Sequence, residues 1–302
     1  MTDLAARILK LKKEKNALIL AHVYTPPEIQ DVADFTGDSL GLSRKSADAS
    51  VTQDKIIFCG VYFMAETAAL LSPQKKVFIP EPQAGCPMAD MADADEVLRL
   101  KAEHPDAAVV TYVNSTVAVK AVSDICVTSS NAVEIVRGLP QRKIIFVPDK
   151  SLGAYVAAQV PDKEIILWPG FCPTHHRILA EFLLRAKAEH PNALVLAHPE
   201  NNKNILDKAD FIGSTGQMQK YAAESSAEEF IVASENGLLH RLRADNPGKK
   251  FYPVTPLAVC PNMRKNTLEK LLDVLENETN LVTVDAQTAD KARLAIQRML
   301  GI

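Results

Sequence analysis

At 302 residues the chain exceeds a single small domain, and at about 150 residues per domain it suggests two or more. Its 47% hydrophobic and 24% charged residues exclude a disordered or collagen-like chain. Lys+Arg 34 against Asp+Glu 37 leaves a formal net charge of -3, so no global basic field exists for non-specific binding of nucleic acid.

The first twenty residues mix charged and apolar positions and lack the basic head, apolar run and cleavage site of an export signal. No stretch reaches the roughly 18 uninterrupted apolar residues of a membrane span. The expectation is a cytoplasmic protein with no membrane and no nucleic-acid partner. Five cysteines, Cys59, Cys86, Cys126, Cys172 and Cys260, form an odd and scattered set that fits reduced thiols or metal ligands better than a disulfide framework.

Taken in chain order, the predicted elements occur three times. The first copy opens with Asn16-Ala-Leu-Ile-Leu-Ala-His22, continues through Ala33-Asp34-Phe35 and Gly37 to the strand Lys55-Ile-Ile-Phe58, and reaches Cys86-Pro87 after a helix and a further strand. The second opens with Ala102-Glu-His-Pro-Asp-Ala107 and the strand ending at Tyr112, carries Asp124 and Lys143-Ile-Ile-Phe146, and ends at Cys172-Pro173. The third repeats Ala188-Glu-His-Pro-Asn-Ala193, runs Asn192-Ala-Leu-Val-Leu-Ala-His198, carries Asp210 and Glu229-Phe-Ile-Val232, and ends at Cys260-Pro261. Self-similarity at a fixed period decides the architecture. Apolar strands alternating with helical stretches give parallel βαβ units. The predicted fold class is therefore α/β: three homologous three-layer αβα domains with small parallel sheets, related by a pseudo-threefold axis. Their ranges are 1–86, 87–172 and 173–265, with 266–302 packing back to complete the first.

In open parallel sheets ligands bind beyond the carboxyl ends of the strands. Three polar pairs fall there at matched positions: His22 with Tyr24, Tyr112 with Asn114, and His198 with Glu200. Imidazole, phenol and carboxylate together supply proton donors and acceptors for a multistep reaction. Ser39, Ser129 and Thr215 also match, each just ahead of a helical stretch, where small hydroxyl residues are ordinary N-caps and helix N-termini attract anions. Cys86, Cys172 and Cys260 recur once per copy, whereas Cys59 and Cys126 have no counterparts and read as core thiols. Three thiolates at one point suit an iron–sulfur cluster with one open iron, or zinc, or no metal at all.

With the triplication and these motifs in place, the chain resembles the quinolinate synthase family over nearly its whole length. The most specific matches are Ala21-His-Val-Tyr24, Tyr112-Val-Asn114, Cys126-Val-Thr-Ser-Ser-Asn131, Trp168-Pro-Gly-Phe-Cys-Pro-Thr-His175, His198-Pro-Glu200, Gly213-Ser-Thr215 and Cys260-Pro-Asn-Met-Arg264. The resemblance implies an enzyme of NAD biosynthesis that condenses iminoaspartate with dihydroxyacetone phosphate to quinolinate, losing phosphate and two waters. It implies a [4Fe-4S] cluster on Cys86, Cys172 and Cys260, with the open iron as Lewis acid. It further implies substrate contacts from His22, Ser39, Tyr112, Val113, Asn114, Ser129, His198, Pro199, Glu200 and Thr215, with His22, Tyr24, His198 and Glu200 as catalytic groups. An oxidase or dehydrogenase that forms iminoaspartate is the implied functional partner. Some members carry cysteine where this chain has Asn201, Asn262 and Met263, so no thiol–disulfide control is inferred here. Another three-cysteine [4Fe-4S] hydro-lyase, or a non-enzymatic iron–sulfur sensor, would share the cysteines; a hydro-lyase would need no phosphate site, and a sensor would need a binding segment that the sequence lacks.

Overall fold

A computed structural model of the chain describes residues 2–301. Its twelve main strands form three sheets of four. The first sheet holds β1 (Ala17–His22), β2 (Phe35–Gly37), β3 (Lys55–Cys59) and β4 (Lys76–Phe78). The second holds β5 (Ala108–Tyr112), β6 (Ile125–Val127), β7 (Lys143–Val147) and β8 (Glu164–Leu167). The third holds β9 (Leu194–Ala197), β10 (Phe211–Ile212), β11 (Glu229–Ala233) and β12 (Lys250–Pro253). Each has the same order, second-first-third-fourth, and every ladder is parallel. The α/β class with three helix-flanked parallel sheets is thus the observed architecture.

Strands covered on both faces must be apolar throughout, and alternate residues of β1 serve different layers. Leu18 and Leu20 pack with Phe58 and Met64, while Ile19 and Ala21 pack with Ile8 and Leu271 on the other face. The closing segment divides between two units. Helix Leu268–Asn277 packs on Asp3–Glu14, residues 280–282 bond to β4 and its extension, and helix Ala286–Leu300 packs on Val117–Ala121 and β6 of the second unit. Among the described residues no helix is long and apolar enough to cross a membrane.

The three aligned aspartates have one structural job. Each backs onto the first strand of its unit: the N–H of Asp34, Asp124 and Asp210 donates to the carbonyl of Ile19, Val109 and Val195 at 2.9, 3.0 and 2.9 Å. Each carboxylate in turn accepts the N–H of that same strand residue, at 2.9, 2.7 and 2.7 Å. A strand amide is thereby satisfied where no neighbouring strand supplies a carbonyl. Replacing Asp124 by Ala leaves the N–H of buried Val109 without its acceptor, a cost of about 1–3 kcal/mol. The expected outcome is a lower urea midpoint with an unchanged far-UV spectrum. An unshifted midpoint would remove the carboxylate from any role in stability.

Candidate active site

Loops at the carboxyl ends of all three sheets enclose one cavity of about 260 Å³. His22 and Tyr112 are the last residues of β1 and β5, and His198 directly follows β9. The cavity is lined by all three polar pairs, by Ser39, Ser129 and Thr215, and by Cys86, Cys172 and Cys260. Val113 and Pro199 lie between the paired residues but do not line it. Cys59 and Cys126 lie apart from it, each fully buried within a sheet.

Glu200 is buried and held by three neighbours. Tyr112 donates its hydroxyl to Oε1 at 2.7 Å, and His175 approaches Oε2 with Nδ1 at 2.7 Å. His198 Nδ1 stands 3.8 Å from the same oxygen. Burial alone would raise the Glu200 pKa, but the opposing pull of His175 and the bonds from His175 and Tyr112 bring it below the usual carboxylate range. Burial, then the charge of Glu200, raises the pKa of both Tyr112 and Tyr24, so each phenol keeps its proton.

The contact to His175 continues outward. Its Nε2 lies 3.3 Å from Ser234 Oγ, which lies 2.7 Å from the Tyr24 hydroxyl. Because a carboxylate only accepts, Nδ1 of His175 carries the proton directed at Glu200, leaving Nε2 to accept from Ser234 when the ring is neutral. A continuous path of hydrogen-bonding groups therefore joins Tyr24 to Glu200.

His22 and His198 are arranged alike. The backbone N–H two residues on, from Tyr24 and Glu200, donates to Nδ1 at 3.2 and 3.3 Å. Burial lowers the pKa to about 4 for His22 and about 3 for His198, so both rings are neutral near pH 7. With Nδ1 taken as acceptor, the ring proton is assigned to Nε2. In His198 that nitrogen lies 3.2 Å from Ser129 Oγ.

The hydroxyl residues depart from the sequence reading in one respect. The N-caps are Asp38 and Ser214, one residue earlier than expected, so the side chains of Ser39 and Thr215 are not committed to capping. Asn131, not Ser129, is the cap position of the second copy. The shift matters because an uncommitted hydroxyl can donate to a ligand.

Each Cys-Pro pair enters a short turn whose fourth residue donates its N–H back to the cysteine carbonyl: Asp90 to Cys86 at 3.2 Å, His176 to Cys172 at 3.0 Å and Arg264 to Cys260 at 3.3 Å. Backbone amides of the same turns also face the sulfurs, those of Met88 and Ala89 at Cys86, His175 at Cys172, and Asn262 and Met263 at Cys260. Burial pushes the Cys86 thiol up to about 12, with further elevation from Cys260. Burial, then Glu200 and then Cys86, raise Cys172. Among the described residues the set whose ligand atoms lie within 4.8 Å of one another is Cys172, His175 and Glu200. That set could hold a metal ion; the three cysteines do not close round a single one.

Sequence reasoning assigned no role to His175, Ser234, Asp38 or Glu235. His175 matches Ala89 and Met263 at the third place after the other two cysteines, so the repeat gave no signal for it. Glu235 is fully buried, accepts the N–H of Cys260 at 3.1 Å and pairs with Arg264 at 2.9 Å, anchoring the third cysteine's loop.

Comparison with known proteins follows the same lines. A family model described as Quinolinate synthetase A protein matches residues 6–301. The chain is 51% identical to a quinolinate synthase of Caldicellulosiruptor saccharolyticus over 295 residues, covering 98% of this chain and 97% of that one. It is 49% identical to one from Alkaliphilus metalliredigens over 301 residues, covering 100% and 99%. It is 51% identical to one from Methanosarcina barkeri over 300 residues, covering 99% and 98%.

The two neutral histidines make stability depend on pH. Each has a folded pKa below its unfolded value of 6.5, so the unfolded chain binds more protons below that pH. Their contribution is fully present above pH 6.5 and is lost as pH falls toward the folded values, by up to about 1.4 kcal/mol per pH unit for each ring. Urea unfolding between pH 7.5 and pH 5 should show a falling midpoint, with a shallower fall in His22→Gln and His198→Gln. Equal slopes in all three proteins would contradict the assignment of neutral rings.

Proposed function

The chain belongs to the quinolinate synthetase A protein family, and from that membership we propose that it condenses iminoaspartate with dihydroxyacetone phosphate to quinolinate, releasing phosphate and two waters. The observation that carries the proposal is one cavity lined by three cysteines, an ionised carboxylate with its histidine partner, and three hydroxyl residues at matched loop positions. The reaction needs that combination: an anion site for the phosphate and carboxylates, a base for enolisation and imine chemistry, and help for departing hydroxyl groups.

The cysteines suit a [4Fe-4S] cluster better than mononuclear zinc. They face one cavity yet do not converge on a single ion, and amides of each turn face the sulfurs, which stabilises thiolate charge against the rise that burial causes. Cys260 raises the pKa of Cys86, and Cys86 that of Cys172, so a cationic group among the three thiolates would relieve their repulsion. Bound there with one iron lacking a protein ligand, the cluster supplies Lewis acidity that assists loss of hydroxyl as water.

The remaining work falls to this chain's side chains. Glu200 is the general base, since it is the ionised group of the cavity, and it stands at the accepting end of the chain of donors Tyr24, Ser234 and His175. Tyr112 donates to Glu200 and holds the carboxylate in place. His22 and His198 act as neutral Nε2–H donors that polarise substrate oxygens, not as bases, because Nδ1 of each is occupied. Ser39, Ser129 and Thr215 hold the phosphate, and Asn114 offers a buried side-chain oxygen with no partner among the described residues, suited to a substrate N–H or O–H. Iminoaspartate is supplied by an amino-acid oxidase or dehydrogenase.

Two measurements test this reading. Cys86→Ser, Cys172→Ser and Cys260→Ser should each lose cluster iron, sulfide and activity after anaerobic purification, while Cys59→Ser and Cys126→Ser keep them; a full complement in any of the first three would sink the ligand assignment. Glu200→Gln should retain the cluster and bind dihydroxyacetone phosphate, yet form quinolinate at least about a hundredfold more slowly in single turnovers. Near-normal turnover would demote Glu200 to a positioning role. Phosphate release with both substrates separates this reaction from simple dehydration.

A further inference from the structure

The three loops that carry Ser39, Ser129 and Thr215 meet at one side chain. Asp38 Oδ2 lies 3.0 Å from Ser130 Oγ of the second copy and 3.0 Å from Ser214 Oγ of the third, and those two hydroxyls lie 2.7 Å apart. Its other oxygen accepts the N–H of Gly41 at 2.9 Å, capping its own helix. Gln217 adds a second link between the second and third loops, donating Nε2 to Ser130 O at 3.2 Å. The third loop presses close: a Cβ on Gly216 would come within 2.9 Å of Asp38 Oδ2.

This junction breaks the sequence repeat. Because Ser39, Ser129 and Thr215 align, the residues before them are Asp38, Thr128 and Ser214, one carboxylate and two hydroxyls. The carboxylate suits these contacts because it only accepts: the protons of Ser130 and Ser214 can be directed at Asp38 Oδ2, and hydrogen bonds to an ionised acceptor are stronger than those between neutral hydroxyls. Each residue tied to Asp38 is a chain neighbour of a hydroxyl residue assigned to phosphate: Ser130 follows Ser129, Ser214 precedes Thr215, and Asp38 itself precedes Ser39.

We propose that Asp38 is a positioning residue that ties the three loops together and so sets the spacing of the Ser39, Ser129 and Thr215 hydroxyls on which affinity for the phosphate-bearing substrate depends. The proposal rests on the reading of those three hydroxyls as the phosphate site. Asp38 acts through Ser130 and Ser214. Its loss should therefore affect the phosphate half of the cavity and spare the cysteine half.

Asp38→Asn is nearly isosteric; with its oxygen kept on Gly41 it turns an NH2 towards the two hydroxyls, so they lose the charged acceptor they donate to and must turn to accept. In anaerobic, cluster-replete protein it should weaken binding of inorganic phosphate and of dihydroxyacetone phosphate by about tenfold or more, the scale of one charge-assisted hydrogen bond. The KM for dihydroxyacetone phosphate should rise with it, while kcat, the cluster's spectrum and the affinity for quinolinate, which has no phosphate, stay close to wild type. Ser214→Ala should weaken phosphate binding in the wild-type background but add little to Asp38→Asn, because both break the same tie. If Asp38→Asn fails to fold, Ser130→Ala, which keeps Asp38 and the caps of both helices, should give the same selective loss on a smaller scale. Phosphate affinity that is unchanged or tighter overturns the proposal, as does an equal loss for quinolinate. Thr215→Ala and Ser39→Ala separate the two levels: no effect of either on phosphate affinity removes the phosphate site itself, whereas a loss there with none in Asp38→Asn removes only the role of Asp38.

Discussion

A carboxylate charge taken out of water is stable only when other groups replace its hydration, and Glu200 is such a charge at the centre of the cavity. Its partners come from different parts of the chain: Tyr112 ends a strand of the second sheet, His175 belongs to the turn after Cys172, and His198 directly follows a strand of the third. Correct docking of the sheets is therefore a condition for an ionised Glu200. The same docking carries the three cysteine loops and the three hydroxyl loops to one place, so assembly of the units and assembly of the site are one event.

Environment gives the three histidines of the site different tasks. His22 and His198 are deeply buried, bonded at Nδ1 by the backbone, and neutral. His175 sits against the carboxylate and a serine, where its two ring nitrogens link separate partners. Two tyrosines remain protonated because burial and Glu200 both disfavour phenolate. None of these differences comes from the residue type; each follows from what the ring or carboxyl touches.

The repeat supplies positions, and departures from the repeat supply chemistry. Tyr24, Asn114 and Glu200 occupy one place in three copies, yet only the last can be a base at neutral pH. Asp38 stands where its counterparts are Thr128 and Ser214, and His175 where they are Ala89 and Met263. Asp34, Asp124 and Asp210, by contrast, keep both residue type and bonding in all three units, since every copy has the same strand amide with no strand partner to satisfy it.

The sequence by itself determined the parallel strands, their threefold recurrence, and the residues at their carboxyl ends, because strand periodicity and repeat spacing are local properties of the chain. His22, Tyr112, His198 and the three Cys-Pro pairs were legible for that reason. Only the tertiary structure decided that Asp38 and Ser214, not Ser39 and Thr215, cap their helices, a difference of one residue that local preference does not resolve. It alone placed helix Ala286–Leu300 on the second unit, since an apolar stripe of Ala292, Ile296 and Met299 is non-directional and fits any complementary face. It alone joined Tyr24 to Ser234, and Ser234 through His175 to Glu200, because hydrogen bonds across 210 residues of chain depend on how packed units approach one another, which no local pattern encodes.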